Sequence, residues 1–283
     1  MSDARYLPYI LLLPATLFLG GFFLVPFVGV AIEAITGSDG GLSFSNFQTM
    51  AQDWRFWPAL SNTLGLALVI VPIQVVLALA MASLVTTMSG GREIVLYILT
   101  IPLGISDLAA GLIWLAILEQ NGFLTTALSG LGIISGPQPL LSYQNLPALF
   151  AAVVVAEVWR ATAIVLVILV AGMGLIPKEY YEAAEVFGAG AWKRFVRITL
   201  PLLRPSLQTA LILRTILAFE VFGVVAALAG NNLAVLMGET YKWQFEFQDR
   251  KVASAYAMVI LAISIAFTLA FLWLLRDRTE ERS

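Results

Sequence analysis

The chain has 283 residues, of which 60% are hydrophobic and only 12% are charged. A soluble globular domain is about 25% charged, so this composition indicates that most of the chain lies in lipid. The formal net charge of −2 gives no electrostatic reason to expect a nucleic-acid partner. Because the chain has no cysteine and no histidine, disulfides and thiolate metal sites are excluded and the commonest general base is absent.

Six apolar runs are long enough to cross a bilayer, which takes about 20 residues of helix. The first run exceeds the hydrophobic region of a signal peptide and has no clear small-residue cleavage site, so we predict a span there as well. The sequence therefore predicts an all-α integral membrane protein, with one permease-like membrane domain over residues 1–283. The predicted spans are residues 7–32, 59–85, 94–118, 146–176, 206–229 and 252–275.

Lysine and arginine in the connecting segments predict the orientation, because cytoplasmic loops carry an excess of both. If the N-terminus is inside, ten of these residues fall on the inner side and four on the outer side. The inner set is Arg5, Arg92, Lys178, Lys193, Arg194, Arg197, Arg204, Arg276, Arg278 and Arg282, and the outer set is Arg55, Lys242, Arg250 and Lys251. Both termini are therefore predicted to be cytoplasmic.

The two longer outer loops, residues 37–58 and 121–145, mix apolar residues with turn residues. We expect short interfacial helices in both of them rather than disordered linkers.

The densest charge of the chain lies in residues 177–205, between the fourth and fifth predicted spans. Pro177 suits the first position of a helix, and the acidic side chains that follow favour its N-terminal dipole. Tyr180, Ala183, Ala184 and Phe187 recur at helical spacing and form one apolar stripe. The sequence Gly188-Ala189-Gly190 then interrupts the helix, and a second, basic amphipathic segment follows.

Two interpretations of this loop stay open on physical grounds alone. It is either an interfacial hairpin whose arginines follow the positive-inside rule, or a rigid projection that docks onto a soluble protein.

The loop resembles the EAA loop of permease subunits of ABC importers. Glu-Ala-Ala is followed by three residues, glycine, nine residues and Ile-x-Leu-Pro, and the matching positions are Glu182, Ala183, Ala184, Gly188, Ile198, Leu200 and Pro201. The stretches "LVAGMGLIPKEYYEAA", "PLLRPSL", "FWPALSNT" and "VWRATAIVLVILVAGM" are similar to the carbohydrate-uptake, maltose-type branch. The chain departs from that branch at Phe187, where an aspartate is frequent.

This resemblance implies a type I importer permease in the inner membrane of a prokaryote. It implies three protein partners, which are a second permease subunit, a cytoplasmic ATPase dimer and an extracytoplasmic solute-binding protein. The chain itself would bind no cofactor, while the ATPase would use ATP and Mg. The solute class would be sugars and related polar solutes, including oligosaccharides, monosaccharides, polyols and sugar phosphates or sulfonates. The implied coupling residues are Glu182, Ala183, Ala184, Phe187, Gly188, Ala189, Ile198, Leu200 and Pro201.

The chain has no nucleotide-binding motif of its own. Gly188–Lys193, "GAGAWK", lacks the second glycine before the lysine and the Ser or Thr after it that a P-loop needs. We therefore predict that the chain is not an enzyme.

Several polar and tryptophan side chains lie within the predicted spans, where a charge is costly unless it faces protein or water. The candidates for a translocation path are Asn62, Gln74, Asp107, Trp114, Glu157, Trp159, Arg160 and Glu220. Glu157 and Arg160 share a helix face and form either an internal ion pair that fixes helix packing or a polar wall of the path. Arg214 is expected to extend to the inner surface.

Two other classes of protein were weighed against the importer permease. An ion-coupled secondary transporter would use Asp107, Glu157 and Glu220 as ion sites and would have repeated broken helices. A membrane enzyme would need a carboxylate or serine centre, and no clustered candidate is present. The secondary-transporter class also leaves the charged loop unexplained.

Overall fold

A computed structural model describes residues 7–136 and 139–274 of the chain. The predicted basic residues Arg5, Arg276, Arg278 and Arg282, and the end of the last predicted span at residue 275, lie outside this part. All of the regular elements described are helices, and the single isolated β-bridge joins Thr36 to Leu42. The predicted all-α fold class is confirmed.

The helices that precede the charged loop lie within residues 7–174. They are α1 (Leu7–Leu19), a π turn (Gly20–Leu24), α2 (Val25–Ala34), α3 (Ser45–Gln52), α4 (Phe56–Thr86), α5 (Arg92–Thr100), a 3-10 turn (Ile101–Gly104), α6 (Asp107–Leu118), α7 (Phe123–Gly130) and α8 (Leu146–Gly174).

The remaining helices form the charged loop and the C-terminal third of the described chain. They are α9 (Lys178–Val186), α10 (Ala191–Arg194), a π turn (Phe195–Thr199), α11 (Leu200–Leu202), α12 (Arg204–Phe219), α13 (Gly223–Leu228), α14 (Leu236–Tyr241), a π turn (Lys242–Glu246) and α15 (Arg250–Leu274).

Five helical stretches among the described residues are long and apolar enough to cross a membrane, and a sixth qualifies if one bent pair is taken as a single span. Helices α4, α8 and α15 coincide closely with three of the predicted runs. The first predicted run is the continuous stretch from α1 to α2. The short helices α3 and α7 lie in the two outer loops in which we expected them.

The third predicted span, residues 94–118, is wrong as a single helix. Helix α5 ends at Thr100, a 3-10 turn follows, and α6 begins only at Asp107. Pro102 has no N–H to donate to the helical ladder, and Ile105 has extended backbone angles. The Ser106 hydroxyl then accepts from the Ala109 N–H at 3.3 Å and caps the new helix.

The fifth predicted span, residues 206–229, is also broken. Helix α12 ends at Phe219, the next three residues are not helical, and the short helix α13 begins at Gly223. Helix α12 also starts two residues earlier than expected, and the segment before it joins it at a bend of 69°. The second halves of the two broken spans, α6 and α13, pack on each other.

Glycine allows the close contact between α6 and α13. A Cβ on Gly111 would lie 2.6 Å from the Ala227 Cβ, and one on Gly223 would lie 2.7 Å from the Asp107 Cβ. Both contacts are closer than side-chain carbons approach in proteins. The first turn of α6 is therefore held directly against the start of α13.

Helices α4, α8 and α12 pack together at the centre of the molecule. One apolar cluster lies toward the outer-loop end of α4 and α8 and includes Leu66 and Val153. Another lies toward the charged loop and includes Ala78 and Leu166. A third joins α4 and α12 to α15 and includes Phe219 and Tyr256. The middle parts of α4, α8 and α12 lie between these three apolar clusters.

Helix α1 has a different environment, because none of its residues is buried within the chain. The end of α2 is fixed. There the Asn46 side chain donates to the carbonyl oxygens of Glu33, Ala34 and Thr36 at 3.0–3.2 Å.

Candidate functional site

Five polar side chains meet between the apolar clusters, and we call them the polar cluster. They come from four helices that are distant in sequence, namely α4, α6, α8 and α12. The members are Gln74, Asp107, Glu157, Arg160 and Arg214. All except Asp107 lie near the middle of their helices, where polar groups must find partners inside the protein.

Glu157 and Arg214 form the enclosed centre of the polar cluster. Arg214 Nη2 lies 2.7 Å from Glu157 Oε2, and both side chains are only 1% exposed. Gln74 joins the same pair, because Arg214 Nε donates to Gln74 Oε1 at 2.6 Å and Gln74 Nε2 donates to the Glu157 carbonyl at 2.8 Å. The charges are thus paired and hydrogen-bonded across three helices.

Arg160 and Asp107 form the more accessible side of the polar cluster. Arg160 Nη2 lies 2.8 Å from Asp107 Oδ1 and 3.3 Å from Glu157 Oε1. The side chain of Asp107 is 42% exposed and that of Arg160 is 16% exposed. Asp107 is also the first residue of α6, where a carboxylate is favoured by the helix dipole.

The expectation for Arg214 was wrong. The side chain does not extend to a surface but is among the largest fully buried side chains of the chain. The sequence showed Glu157 and Arg160 as a pair because they lie three residues apart on one helix, and the structure confirms that contact. The shorter ion pair of Glu157 is nevertheless with Arg214, which is 57 residues away, and spacing could not reveal it.

Trp114 and Trp159 lie next to each other, with ring centroids 6.1 Å apart in an edge-to-face arrangement. Trp159 directly precedes Arg160 in α8 and is partly exposed, whereas the Trp114 Nε1 is buried and lacks a hydrogen-bond partner in the described part of the chain. The structure therefore brings four of the eight predicted path residues together in the polar cluster, and it places the two tryptophans against each other.

Asn62 and Glu220 do not belong to this group. Asn62 lies nearer the start of α4, donates to the Ala234 carbonyl at 2.9 Å, and lines a cavity of about 350 Å³ with Trp54, Arg55 and Asn231. Glu220 directly follows the last residue of α12, and its side chain is exposed. The sequence indicated both positions because each is a polar residue within a predicted span, but only the fold shows that they lie apart from the polar cluster.

A second charged group surrounds Glu239 near the predicted outer loops, and nothing in the spacing of its residues in the sequence indicates it. Glu239 Oε1 pairs with Arg55 Nε at 2.8 Å and with Lys242 Nζ at 3.1 Å, and the Glu239 side chain is buried. Across residues 7–136 and 139–274, no group of three His, Cys, Asp or Glu side chains could hold a metal ion.

The charged loop at residues 177–205 has the elbow that its glycines indicate. Helix α9 ends at Val186, Gly188 adopts the left-handed conformation with φ of +70°, and the chain resumes a helix at Ala191. Two side-chain contacts close the elbow. The Tyr181 and Thr199 hydroxyls are 3.0 Å apart, and Arg194 forms an ion pair with Glu185.

The outer surface of this elbow is apolar and open. Val186 and Phe187 are more than four fifths exposed, and Trp192 and Tyr180 are also exposed. Phe187 and Tyr180 belong to the stripe predicted from helical spacing, while Ala184 of that stripe is only partly exposed. Large exposed apolar side chains beside charged ones are typical of a surface that binds another protein.

Comparison with known proteins gives consistent matches along the chain. The profile of the family described as "Binding-protein-dependent transport system inner membrane component" matches residues 74–279. The trehalose transport system permease protein SugA of Mycobacterium tuberculosis is 30% identical over 234 residues, which cover 82% of this chain and 74% of that protein. The sulfoquinovosyl glycerol transport system permease protein SmoG of Agrobacterium fabrum is 29% identical over 97% of this chain and 92% of its own length.

One solved structure is also similar along nearly the whole chain. It is the crystal structure of a bacterial ABC transporter involved in the import of the acidic polysaccharide alginate, with a TM-score of 0.82 over 98% of this chain and 97% of that chain. Since the sequences are 22% identical, this likeness establishes the fold.

Proposed function

Because the chain belongs to the family of binding-protein-dependent transport system inner membrane components, we propose that it forms half of the translocation path of an ATP-driven importer for a sugar or related polar solute. The family consists of transport permeases, and the chain is accordingly a membrane permease subunit of an ABC transporter and not an enzyme. The EAA resemblance is thereby confirmed at the level of the family.

The observation that carries the coupling role is the elbow at residues 177–205. Its backbone turns at Gly188, its two arms are joined by the Tyr181–Thr199 contact, and its exposed face presents Phe187 and Trp192. A joined, two-armed elbow can transmit a displacement, whereas a flexible loop would absorb it. The partner that fits is a cytoplasmic ATPase dimer that uses ATP and Mg.

The elbow also continues directly into the helices of the polar cluster. A Cβ on Gly172, near the end of α8, would lie 2.6 Å from the Ser206 Cβ near the start of α12. Movement of the elbow therefore acts on α8 and α12 together, and these two helices carry Glu157, Arg160 and Arg214. This connection supports a path at the polar cluster that is coupled to the ATPase.

The relatives support the solute class and the other partners. Their names assign trehalose to one and sulfoquinovosyl glycerol to another, and an alginate transporter of the same fold was solved with a periplasmic protein that holds an alginate pentasaccharide. We therefore propose that this chain transports a sugar or a sugar-derived solute. An extracytoplasmic binding protein would deliver the solute, and a second permease subunit would pair with the chain. The fully exposed α1 gives that second subunit an apolar surface to cover.

Substitutions in the elbow test the coupling role. Gly188→Pro cannot adopt a φ of +70°, and Glu182→Lys places a positive charge in the first turns of α9. We expect both variants to insert and assemble with the second permease while losing solute uptake and ATPase stimulation by the loaded binding protein. The matched control is Gly190→Ala, because Gly190 has an ordinary φ of −65° and open space around it.

Normal uptake and normal ATPase association in both elbow variants would contradict the proposal. Uptake that needs an ion gradient and no ATPase would favour a secondary transporter instead.

Thiol labelling tests the proposed orientation, with both termini and the elbow in the cytoplasm. The chain contains no native cysteine, so single substitutions report directly. Ser89→Cys and Glu185→Cys should resist an impermeant thiol reagent added from outside, and Ser129→Cys should react. Labelling of Glu185→Cys from outside would place the elbow on the wrong side for an ATPase.

A further inference from the structure

The two arginines of the polar cluster have different degrees of enclosure. Arg214 is 1% exposed and its charge is neutralised by Glu157, which is equally buried. Arg160 has a longer contact to Glu157, at 3.3 Å, and its nearest carboxylate oxygen belongs to the partly exposed Asp107. Glu157 and Arg214 therefore balance each other's charge in the enclosed centre. The charge of Arg160 is balanced mainly by the Asp107 carboxylate at the accessible edge.

Arg160 also has unused hydrogen-bonding capacity. Its contacts to both carboxylates involve Nη2, and its Nε is buried and has no hydrogen-bond partner among residues 7–136 and 139–274. A guanidinium group offers five N–H donors in a planar fork, which suits bidentate contact with a carboxylate, sulfonate or phosphate. The existing contacts leave part of that fork unpaired, and displacement of Asp107 from Nη2 would make this guanidinium group available to another anion.

Asp107 can release Arg160 without losing all of its stabilisation. It begins α6, a helix of 12 residues, so its carboxylate is stabilised by the helix N-terminus even without the ion pair. Its side chain is 42% exposed, and a charge in this position must face water or protein because facing lipid is costly. The Asp107–Arg160 pair thus lies at a hydrated or protein-lined edge of the cluster.

We infer that Arg160 recognises an anionic group of the solute, and that Asp107 occupies that position when no solute is present. This inference rests on the proposed role of the polar cluster in the path. The anion would displace Asp107 from Arg160, and the aromatic side chain of Trp159 next to it would contact the apolar face of a sugar ring. The solute class is then a sugar that carries a carboxylate, sulfonate or phosphate.

Binding of two matched probes to the assembled complex in lipid nanodiscs tests the inference. The probes are radiolabelled methyl β-D-glucuronide and methyl β-D-glucoside, which differ by the carboxylate at one ring carbon. Asp107→Asn removes the internal competitor, so glucuronide affinity should rise about tenfold if the competitor leaves roughly a tenth of the sites free. Glucoside affinity should not change.

A control and a second variant make the outcome specific. Glu33→Gln removes a carboxylate of similar exposure from an ion pair with Arg250 and should leave both affinities unchanged. Arg160→Gln should abolish any preference for the glucuronide over the glucoside. If the complex with Arg160→Gln does not assemble, the affinities of the Asp107→Asn complex test the inference by themselves. Asp107 lies at the accessible edge of the polar cluster.

Glucuronide binding that is no tighter in Asp107→Asn than in the unmodified complex, or undetectable in both, would overturn the inference. The proposed function fails in a different way, through loss of ATPase association or of ATP-dependent uptake. The two failures are therefore distinguishable.

Discussion

The polar cluster and the elbow contain the same kinds of ion pair in opposite surroundings. In the polar cluster, Glu157 and Arg214 are each 1% exposed, whereas in the elbow the Glu185 side chain that pairs with Arg194 is 62% exposed. Breaking a buried pair strands a charge without water, while breaking an exposed pair returns both groups to solvent. The same chemistry therefore holds the helices together in one region and leaves a surface free for a partner in the other.

Removing one charge of the enclosed pair should give the largest loss of stability. Glu157→Gln and Arg214→Gln should each lower the free energy of unfolding by about 3–5 kcal/mol, because the remaining buried charge loses its shortest ion pair. The double variant Glu157→Gln/Arg214→Met should recover much of the loss. Thermal unfolding of the purified complex, followed by tryptophan fluorescence, measures the effect.

The control for this prediction is the double variant Glu157→Gln/Arg160→Gln, which leaves Arg214 without its carboxylate. If stability recovers in Glu157→Gln/Arg160→Gln but not in Glu157→Gln/Arg214→Met, then Arg160 and not Arg214 is the partner that balances the charge of Glu157.

Loss of the uncharged member of the polar cluster should have an intermediate effect. Gln74→Leu removes the acceptor of Arg214 Nε and the donor to the Glu157 carbonyl, and unsatisfied buried groups cost about 1–3 kcal/mol. Unfolding of the complex in denaturant should show this loss. Gln144→Leu is the matched control, since Gln144 is an exposed amide whose side chain donates to the neighbouring Tyr143 hydroxyl. Equal losses in both variants would remove the distinction between buried and exposed groups.

The exposed pair should contribute least. Glu185→Gln removes the partner of Arg194, and a surface ion pair is worth about 0–1 kcal/mol. We expect no measurable change in thermal unfolding at physiological salt, because the charges are screened there. A loss of several kcal/mol would show that the elbow is held by this pair rather than by its backbone turn and the Tyr181–Thr199 contact.

The sequence predicted the helices well because apolar length is a local property. Helices α4, α8 and α15 lie close to the predicted spans, and the glycine elbow at Gly188 follows from a residue type that tolerates a positive φ. The elbow was also recognisable because its motif is contiguous in sequence.

The breaks in the third and fifth predicted spans could not be read from the same property. Residues 101–106 and 220–222 interrupt runs that are apolar over most of their length, and the second break contains neither glycine nor proline. It depends on the packing of α13 against α6, where Gly223 meets Asp107. Likewise, Arg214 could be placed only once α12 was known to cross α4 and α8 at its middle.

The four ionised groups of the polar cluster are two carboxylates and two guanidinium groups, so their formal charges cancel. Moving one elementary charge across a membrane potential of 100 mV involves about 2.3 kcal/mol of electrical work. Helices α4, α6, α8 and α12 can therefore shift together along the membrane normal with almost no electrical work on this cluster. The membrane voltage would then neither drive nor oppose the movement of this cluster, whereas it would act on the charge of an ionic solute.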